Sequence, residues 1–174
     1  MIRYQFLYAA VFLLVTNPAF ANTADSSNKY CEYKESQFVP ALKKAVTSYL
    51  TEHLKFSWSE DSLDVSCEQY PDSDSENVAG CDVSFRAQDG VNFILHENPG
   101  CYLDSYHELH CGSSERMLQG FALKKSQPAD EEGGNVGPAT CTAIIDYPWV
   151  INSDTGNRID TGSKNQSIFI KYQQ

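Results

Sequence analysis

The sequence predicts an α+β domain: one N-terminal amphipathic helix packed on an antiparallel sheet of about five or six strands and stapled by three disulfides. Two kinds of pattern predict the elements. Apolar residues recur with a helical period in residues 36–56, and later stretches alternate apolar and polar residues with the period of two that is typical of strands. A third observation predicts the disulfides, because six cysteines follow an N-terminal stretch typical of export.

Length and composition indicate the class of protein. The chain has 174 residues, of which 41% are hydrophobic and 21% are charged, as expected for one globular domain. Its formal net charge of −10 argues against a nucleic-acid partner, because phosphate binding needs clustered Lys and Arg. The same charge favours a cationic protein partner.

Residues 1–21 are predicted to be a signal peptide. Arg3 precedes a ten-residue apolar run that ends at Val15, and the small-residue pattern Ala19-Phe20-Ala21 follows. Spanning a bilayer takes about 20 apolar residues, so this run is too short to be a membrane anchor. We expect cleavage after Ala21, no later membrane span, and a protein that is secreted or periplasmic.

The cysteines are expected to form three disulfides in such a compartment, for which fifteen pairings are possible. Zinc sites usually contain a Cys-x2–4-Cys pair, and no two of these cysteines lie that close. We therefore expect no metal and no other cofactor. The six are Cys31, Cys67, Cys81, Cys101, Cys111 and Cys141.

The predicted fold begins with an arm and a helix. Residues 22–35 are polar, and we expect an extended arm that is fastened only where its cysteine is bonded. Residues 36–174 form the single α+β domain, whose helix over 36–56 has Ser36 as its cap and Pro40 in its first turn. The predicted buried face of the helix contains Phe38, Leu42, Ala45, Val46, Tyr49 and Leu54.

The strands follow the helix. Residues 63–67 and 81–85 alternate, and each stretch has a cysteine on its apolar side, so a bond between these cysteines is natural if the strands pair. Asp89-Gly90 suits a two-residue hairpin turn before the strand 91–95, because this dipeptide accepts positive φ angles. Further strands are predicted at 117–125, 140–151 and 168–170, and loops at 71–80, 101–111, 127–138 and 152–165.

One motif matches an enzyme family by its letters. Ile159-Asp160-Thr161-Gly162-Ser163 is the aspartic-protease string, in which two aspartates share a proton. Only eleven residues follow it, too few for the rest of such an enzyme, and Asp154-Thr155-Gly156 repeats the triplet in the same loop. We interpret both triplets as turn-forming sequences.

The histidines form a second motif. His107-Glu108-Leu109-His110-Cys111 begins like a metalloprotease helix, but cysteine stands where the second zinc-binding histidine is required. We expect a surface loop here, with pH-sensitive contact to a partner as its functional interpretation. His53 lies beside the buried stripe of the helix and is expected to be a packed histidine.

Two acidic runs have the alternating oxygens of calcium loops, but both lack the glycine and the final glutamate of an EF-hand. We expect solvated acidic loops. No Ser/His/Asp triad can be assigned from the sequence, so no catalytic residue is predicted. The acidic runs are Asp72, Asp74 and Glu76, and Asn152, Asp154 and Asp160.

Read in order, the helix, Gly90-Val91-Asn92-Phe93, Cys101-x9-Cys111 and Cys141-x6-Pro148-Trp149 resemble the secreted cystatins, which inhibit papain-like cysteine proteases. The resemblance spans about residues 36–150. It implies a long helix wrapped by an antiparallel sheet, with two hairpin turns that fill the protease cleft.

By that likeness the partner-binding residues are Gln88, Asp89 and Gly90 in one turn, and Pro148 and Trp149 in the other. Trp149 has an equally weighted alternative, which is to cap the core. The resemblance also implies a Cys101–Cys111 loop, and with it we expect Cys141 to pair with Cys31, and Cys67 with Cys81.

The expected function is binding without catalysis. We expect an inhibitor of a hydrolase, either a papain-like protease or a cationic lysozyme-like or toxin enzyme that the acidic charge would attract. Two alternatives come from other classes: a non-catalytic surface module that binds carbohydrate or protein, and a small secreted hydrolase that uses His107 or His110.

Overall fold

The computed structural model describes residues 29–69, 78–97, 100–111, 118–128, 130–131, 134–146, 148–161 and 166–174. The predicted signal peptide, residues 22–28 of the predicted arm and the acidic run of Asp72, Asp74 and Glu76 lie outside the described residues. No helix among the described residues is long and apolar enough to cross a membrane.

The predicted helix is confirmed as α1, Glu35–His53. Lys34 is its N-cap residue, and no side chain caps the helix, so the predicted capping role of Ser36 is wrong. The helix begins one residue earlier than expected, which places Ser36 inside it and Pro40 in its second turn. Its fully buried residues include Phe38, Leu42, Val46 and Leu50.

The strands of the described residues form three antiparallel sheets, where the sequence predicted one. The largest has six strands in the order β1-β2-β3-β9-β10, and β6 pairs with β2. Its strands are β1 Trp58–Gln69, β2 Val78–Ala87, β3 Asn92–His96, β6 Leu118–Ala122, β9 Trp149–Asn152 and β10 Arg158–Ile159.

Two smaller sheets complete the fold. One has three strands in the order β11-β8-β7, and the other is the isolated hairpin β4-β5. Their strands are β4 Cys101–Leu103, β5 Leu109–Cys111, β7 Lys124–Ser126, β8 Thr140–Asp146 and β11 Ser167–Gln173.

Strands do form in the ranges predicted at 117–125 and 140–151, but the expectation of one continuous strand in each range is wrong, because each range divides between two sheets. The strand expected at 117–125 becomes β6 and β7, with the buried Leu123 between them. The strand expected at 140–151 ends at Asp146 and resumes at Trp149. Pro148 lies in that interruption, and since proline has no N–H, it cannot donate to a strand ladder.

The core lies where α1 packs against β1 and β11, and all three expected disulfides are confirmed. Cys31–Cys141 joins the segment before the helix to β8, across 110 residues of sequence. That segment is also held by its backbone, because the Cys31 N–H donates to the Leu123 carbonyl (2.7 Å) and the Lys125 N–H donates to the Lys29 carbonyl (2.9 Å).

Candidate functional site

The first predicted contact region is the turn between β2 and β3. The hairpin is confirmed, but its turn has three residues, 88–90, where two were expected, because Arg86 pairs with Asn92 and the Ala87 N–H donates to the Val91 carbonyl (2.9 Å). Within this turn Gly90 alone has a positive φ, +93°, and its N–H donates to the Ala87 carbonyl (3.0 Å). Asp89 accepts a hydrogen bond from the Val91 N–H (3.1 Å). Gln88, Asp89 and Gly90 are all exposed, so this turn is open to a partner.

The second predicted contact region is less accessible. Pro148 is buried, and its carbonyl lies 3.3 Å from the hydroxyl of Tyr49 on α1, which donates to it. Trp149 is half-buried, and the Arg158 guanidinium lies over its ring, 3.9 Å from the centroid. Cation–π stacking against β10 thus covers one face of this tryptophan.

The strand register separates the two regions. Phe93 pairs with Asn152 and His96 pairs with Trp149, so the turn at Gly90 and the Trp149 end of β9 lie at opposite ends of β3. The structure therefore does not bring the five predicted contact residues to one edge of the sheet. Their role in binding stays a prediction.

A different region forms a hairpin outside the two larger sheets, namely residues 101–111, called here the β4–β5 loop. Strand β2 pairs with β1 along one edge and with both β3 and β6 along its other edge. The β4–β5 loop lies between β3 and β6 in the sequence, and its own strands form a separate two-stranded sheet. Cys101 pairs directly with Cys111 in the hairpin register, and their disulfide closes the base.

Asp104 organises the tip of the loop. One of its carboxylate oxygens, Oδ1, accepts hydrogen bonds from the N–H groups of Tyr106 and Glu108, both at 2.9 Å. The other, Oδ2, lies 3.0 Å from Nε2 of His110. Three hydrogen bonds lower the pKa of this carboxyl below its ordinary value. In order of decreasing effect, they come from the Glu108 N–H, the His110 ring and the Tyr106 N–H.

The loop presents aromatic and imidazole side chains to solvent. Tyr102 is 61% exposed and Tyr106 is 83% exposed. The Tyr102 ring stacks on the His110 ring, with centroids 5.4 Å apart. His107, also exposed, has a φ of +63°, a conformation that is uncommon for residues other than glycine.

The loop rests against the turn between β9 and β10. Gly156 has a φ of +69°, and a Cβ at this position would lie 3.3 Å from the Tyr102 Cα and 3.4 Å from the Leu103 nitrogen. The absence of a side chain thus permits close approach of two backbones. This contact fixes the loop at a second place besides its disulfide.

The same turn accounts for the Asp-Thr-Gly triplet at 154–156. Asn152 Oδ1 accepts hydrogen bonds from the Asp154 and Thr155 N–H groups, at 2.9 and 3.1 Å. Such a bond pattern is an Asx turn, so the triplet acts here as turn sequence. In the second triplet, Gly162 and the following serine lie outside the described residues.

The histidines differ in their surroundings. His53 packs against the Tyr49 ring, with centroids 4.8 Å apart, as expected for a packed histidine. His110 is paired with Asp104, with its Nε2 3.0 Å from Oδ2 of the carboxylate. Asp104, Glu108 and His110 do bring three possible metal-ligand atoms within 4.8 Å of one another.

Sequence reasoning did not identify Tyr102, Asp104 and Tyr106 as contact or positioning residues. The available signal was the clustering of Tyr, His and Asp between two cysteines, in a segment predicted as a surface loop whose histidines alone were given a functional interpretation. The hydrogen bonds of Asp104 depend on the tip conformation, which no sequence period specifies.

The fold and the loop together define a disulfide-stabilised α+β protein that carries a closed aromatic hairpin outside its main sheets. No family model, no curated protein and no solved structure matches the chain. The resemblance to the secreted cystatins stays a prediction.

Proposed function

We propose that the protein is a secreted or periplasmic inhibitor that inserts its β4–β5 loop into the cleft of a cationic hydrolase. The observation that carries this proposal is the loop itself: a separate hairpin with exposed Tyr102 and Tyr106, closed by Cys101–Cys111 and hydrogen-bonded internally through Asp104. Tyrosine is enriched among residues that dominate binding energy at interfaces.

Preorganisation favours this loop as a contact element. Binding a flexible segment costs the conformational entropy of ordering it, and a loop already held by a disulfide and tip hydrogen bonds avoids most of that cost. The contact of Gly156 with the loop backbone adds a further constraint. The loop can therefore fill a groove and exclude substrate without rearranging.

Charge supports a cationic target. The chain carries a formal net charge of −10, and opposite charges on two partners raise their association rate. A lysozyme-like or toxin hydrolase with a basic surface fits better than papain-like proteases do. The cystatin mode needs two turns at one edge, whereas the predicted turns here lie at opposite ends of β3.

The proposal is tested by titrating the exported, oxidised protein into a cationic lysozyme and, separately, into papain, and measuring residual enzyme activity. We expect stoichiometric inhibition of the lysozyme-like enzyme. The inhibition should weaken as ionic strength rises from about 0.01 M to about 0.15 M, because the Debye length falls from about 30 Å to about 8 Å.

Variants locate the contact surface. Tyr106→Ala should weaken inhibition about tenfold or more, as for an interface residue that dominates binding. Phe169→Ala on β11 is the matched control, because this aromatic residue is 56% exposed and lies outside the loop. Gln88→Ala tests the predicted turn. Inhibition of papain alone, lost in Gln88→Ala and kept in Tyr106→Ala, would overturn the proposal in favour of the cystatin mode.

A further inference from the structure

Asp104, Glu108 and His110 form a cluster in the β4–β5 loop that combines two carboxylates with an imidazole. Their ligand atoms all lie within 4.8 Å of one another, and Asp104 Oδ2 is 3.0 Å from His110 Nε2. Imidazole suits zinc, copper and nickel, whereas magnesium and calcium prefer oxygen alone. The donor set therefore points to a transition metal.

The imidazole is already oriented for such a role. Its ring stacks on Tyr102 at an interplanar angle of 24°, and its Nε2 faces the Asp104 carboxylate. Zinc binds nitrogen and oxygen ligands at about 2.0–2.2 Å. Because Glu108 is exposed, its side chain can rotate to close the remaining separation.

The geometry points to a binding site for a divalent transition-metal ion, with zinc the best match, ligated by Asp104, Glu108 and His110 at the tip of the β4–β5 loop. The ion would take the place of the hydrogen bond between Asp104 and His110. Three protein ligands leave a fourth tetrahedral position open, which a water molecule or a group from a partner can occupy.

The test is calorimetric titration of the oxidised, untagged protein with zinc ions alone, followed by amide NMR shifts. We expect one zinc ion per chain, with the largest shifts in residues 102–110. Excess calcium should not compete, because an imidazole ligand disfavours it. His110→Ala and Glu108→Gln should each weaken zinc affinity about tenfold or more.

A matched control is available in the helix. His53 lies 3.8 Å from Glu52, so this pair also combines an imidazole with a carboxylate, but it has no third ligand among the described residues. His53→Ala should leave zinc affinity unchanged, and so should His107→Ala. Of the two ligand variants, Glu108→Gln should disturb the conformation of the tip less, because Glu108 donates its hydrogen bond to Asp104 from its backbone N–H.

Three results would overturn the inference: no binding at millimolar zinc, equal competition by calcium, or an affinity that falls in His53→Ala and not in His110→Ala. The inference does not rest on the proposed function, because zinc is titrated with no hydrolase present. Inhibition without zinc binding removes this inference alone, and zinc binding without inhibition removes the proposed function alone.

Discussion

The Cys67–Cys81 and Cys101–Cys111 bonds join directly opposed residues of antiparallel hairpins, with Cα atoms 4.1 and 4.0 Å apart. The first bond is buried, in a hairpin within the six-stranded sheet. The second closes a hairpin that is a sheet by itself. An isolated two-stranded hairpin is marginally stable in water. We therefore expect the first bond to add stability to the core and the second to keep a surface hairpin ordered.

The first prediction concerns the stability that each bond contributes. The chain-entropy model assigns about 3 kcal/mol to loops of these lengths. We expect Cys67→Ala with Cys81→Ala to lower the free energy of unfolding by about 3 kcal/mol. Cys101→Ala with Cys111→Ala should lower it by less than about 1 kcal/mol, since the loop then gains disorder in the folded state as well. Denaturant unfolding measures both values.

Hydrogen exchange supplies the local measurement for the same two variants. The Asp104 N–H donates to the Glu108 carbonyl at 3.0 Å, and this amide should exchange rapidly once the Cys101–Cys111 bond is removed. Amides of β8 should stay protected in that variant. A loss of more than about 3 kcal/mol in the Cys101/Cys111 variant would show that the loop is part of the cooperative core.

The second prediction uses two glycines with positive φ. Gly156→Ala and Gly90→Ala should each lose about 1 kcal/mol of stability from backbone strain. A Cβ at Gly90 meets no atom within 4 Å, whereas a Cβ at Gly156 meets the backbone of Tyr102. Amide shifts at Tyr102 and Leu103 should therefore change in Gly156→Ala alone. Equal shifts in both variants would mean that the β9–β10 turn does not support the loop.

The sequence predicts the core, with its Cys67–Cys81 hairpin, better than it predicts the β4–β5 loop. The helix follows from its apolar period, the position of the β2–β3 hairpin from Asp89-Gly90, and the Cys67–Cys81 bond from two cysteines on the apolar sides of neighbouring strands. All of these are local patterns, which the structure confirms. The Cys101–Cys111 bond came instead from the likeness to a family.

The division of strands between sheets could not be predicted in this way. A period of two records which residues face the core, but it does not record which neighbour a strand pairs with. Pro148 could have predicted the interruption of the strand at 140–151, because proline is rare in central strands. The network around Asp104 depends on backbone N–H groups that converge only once the tip has folded.

The third prediction concerns alkaline pH and the core. Burial, and next the charge of Glu35, raise the pKa of Tyr33 from 10.0 to about 12. The folded state therefore favours the neutral phenol, so this stabilisation is complete below pH 10.0 and is lost as pH rises toward about 12. The unfolding midpoint should fall over that range. Tyr33→Phe should reduce the fall, and an identical fall in this variant would assign it to other groups.

Burial also raises the pKa of Tyr172, which is another aromatic residue packed against the core. The hydroxyls of Tyr33 and Tyr172 are buried and have no hydrogen-bond partner among the described residues. Replacing such a group by phenylalanine removes an unsatisfied donor, so neither Tyr33→Phe nor Tyr172→Phe should destabilise the protein at neutral pH.

The smallest effect on global stability is expected for Asp104, because its exposed loop contributes little to the core. Asp104→Asn keeps an oxygen that can accept from the Tyr106 and Glu108 N–H groups, while Asp104→Ala removes it. Both variants should unfold at the wild-type denaturant midpoint. Amides of the tip should exchange faster in Asp104→Ala than in Asp104→Asn.

The difference in amide exchange between Asp104→Ala and Asp104→Asn distinguishes two explanations of how the tip is held in one conformation. If the disulfide alone keeps the loop in one conformation, the asparagine and alanine variants will exchange equally. If the side-chain oxygen at position 104 holds the tip, the alanine variant will also bind a partner more weakly, because ordering the tip then adds an entropic cost to binding. The conformation of the tip would in that case depend on one half-buried side chain, whereas the core is held by many buried contacts.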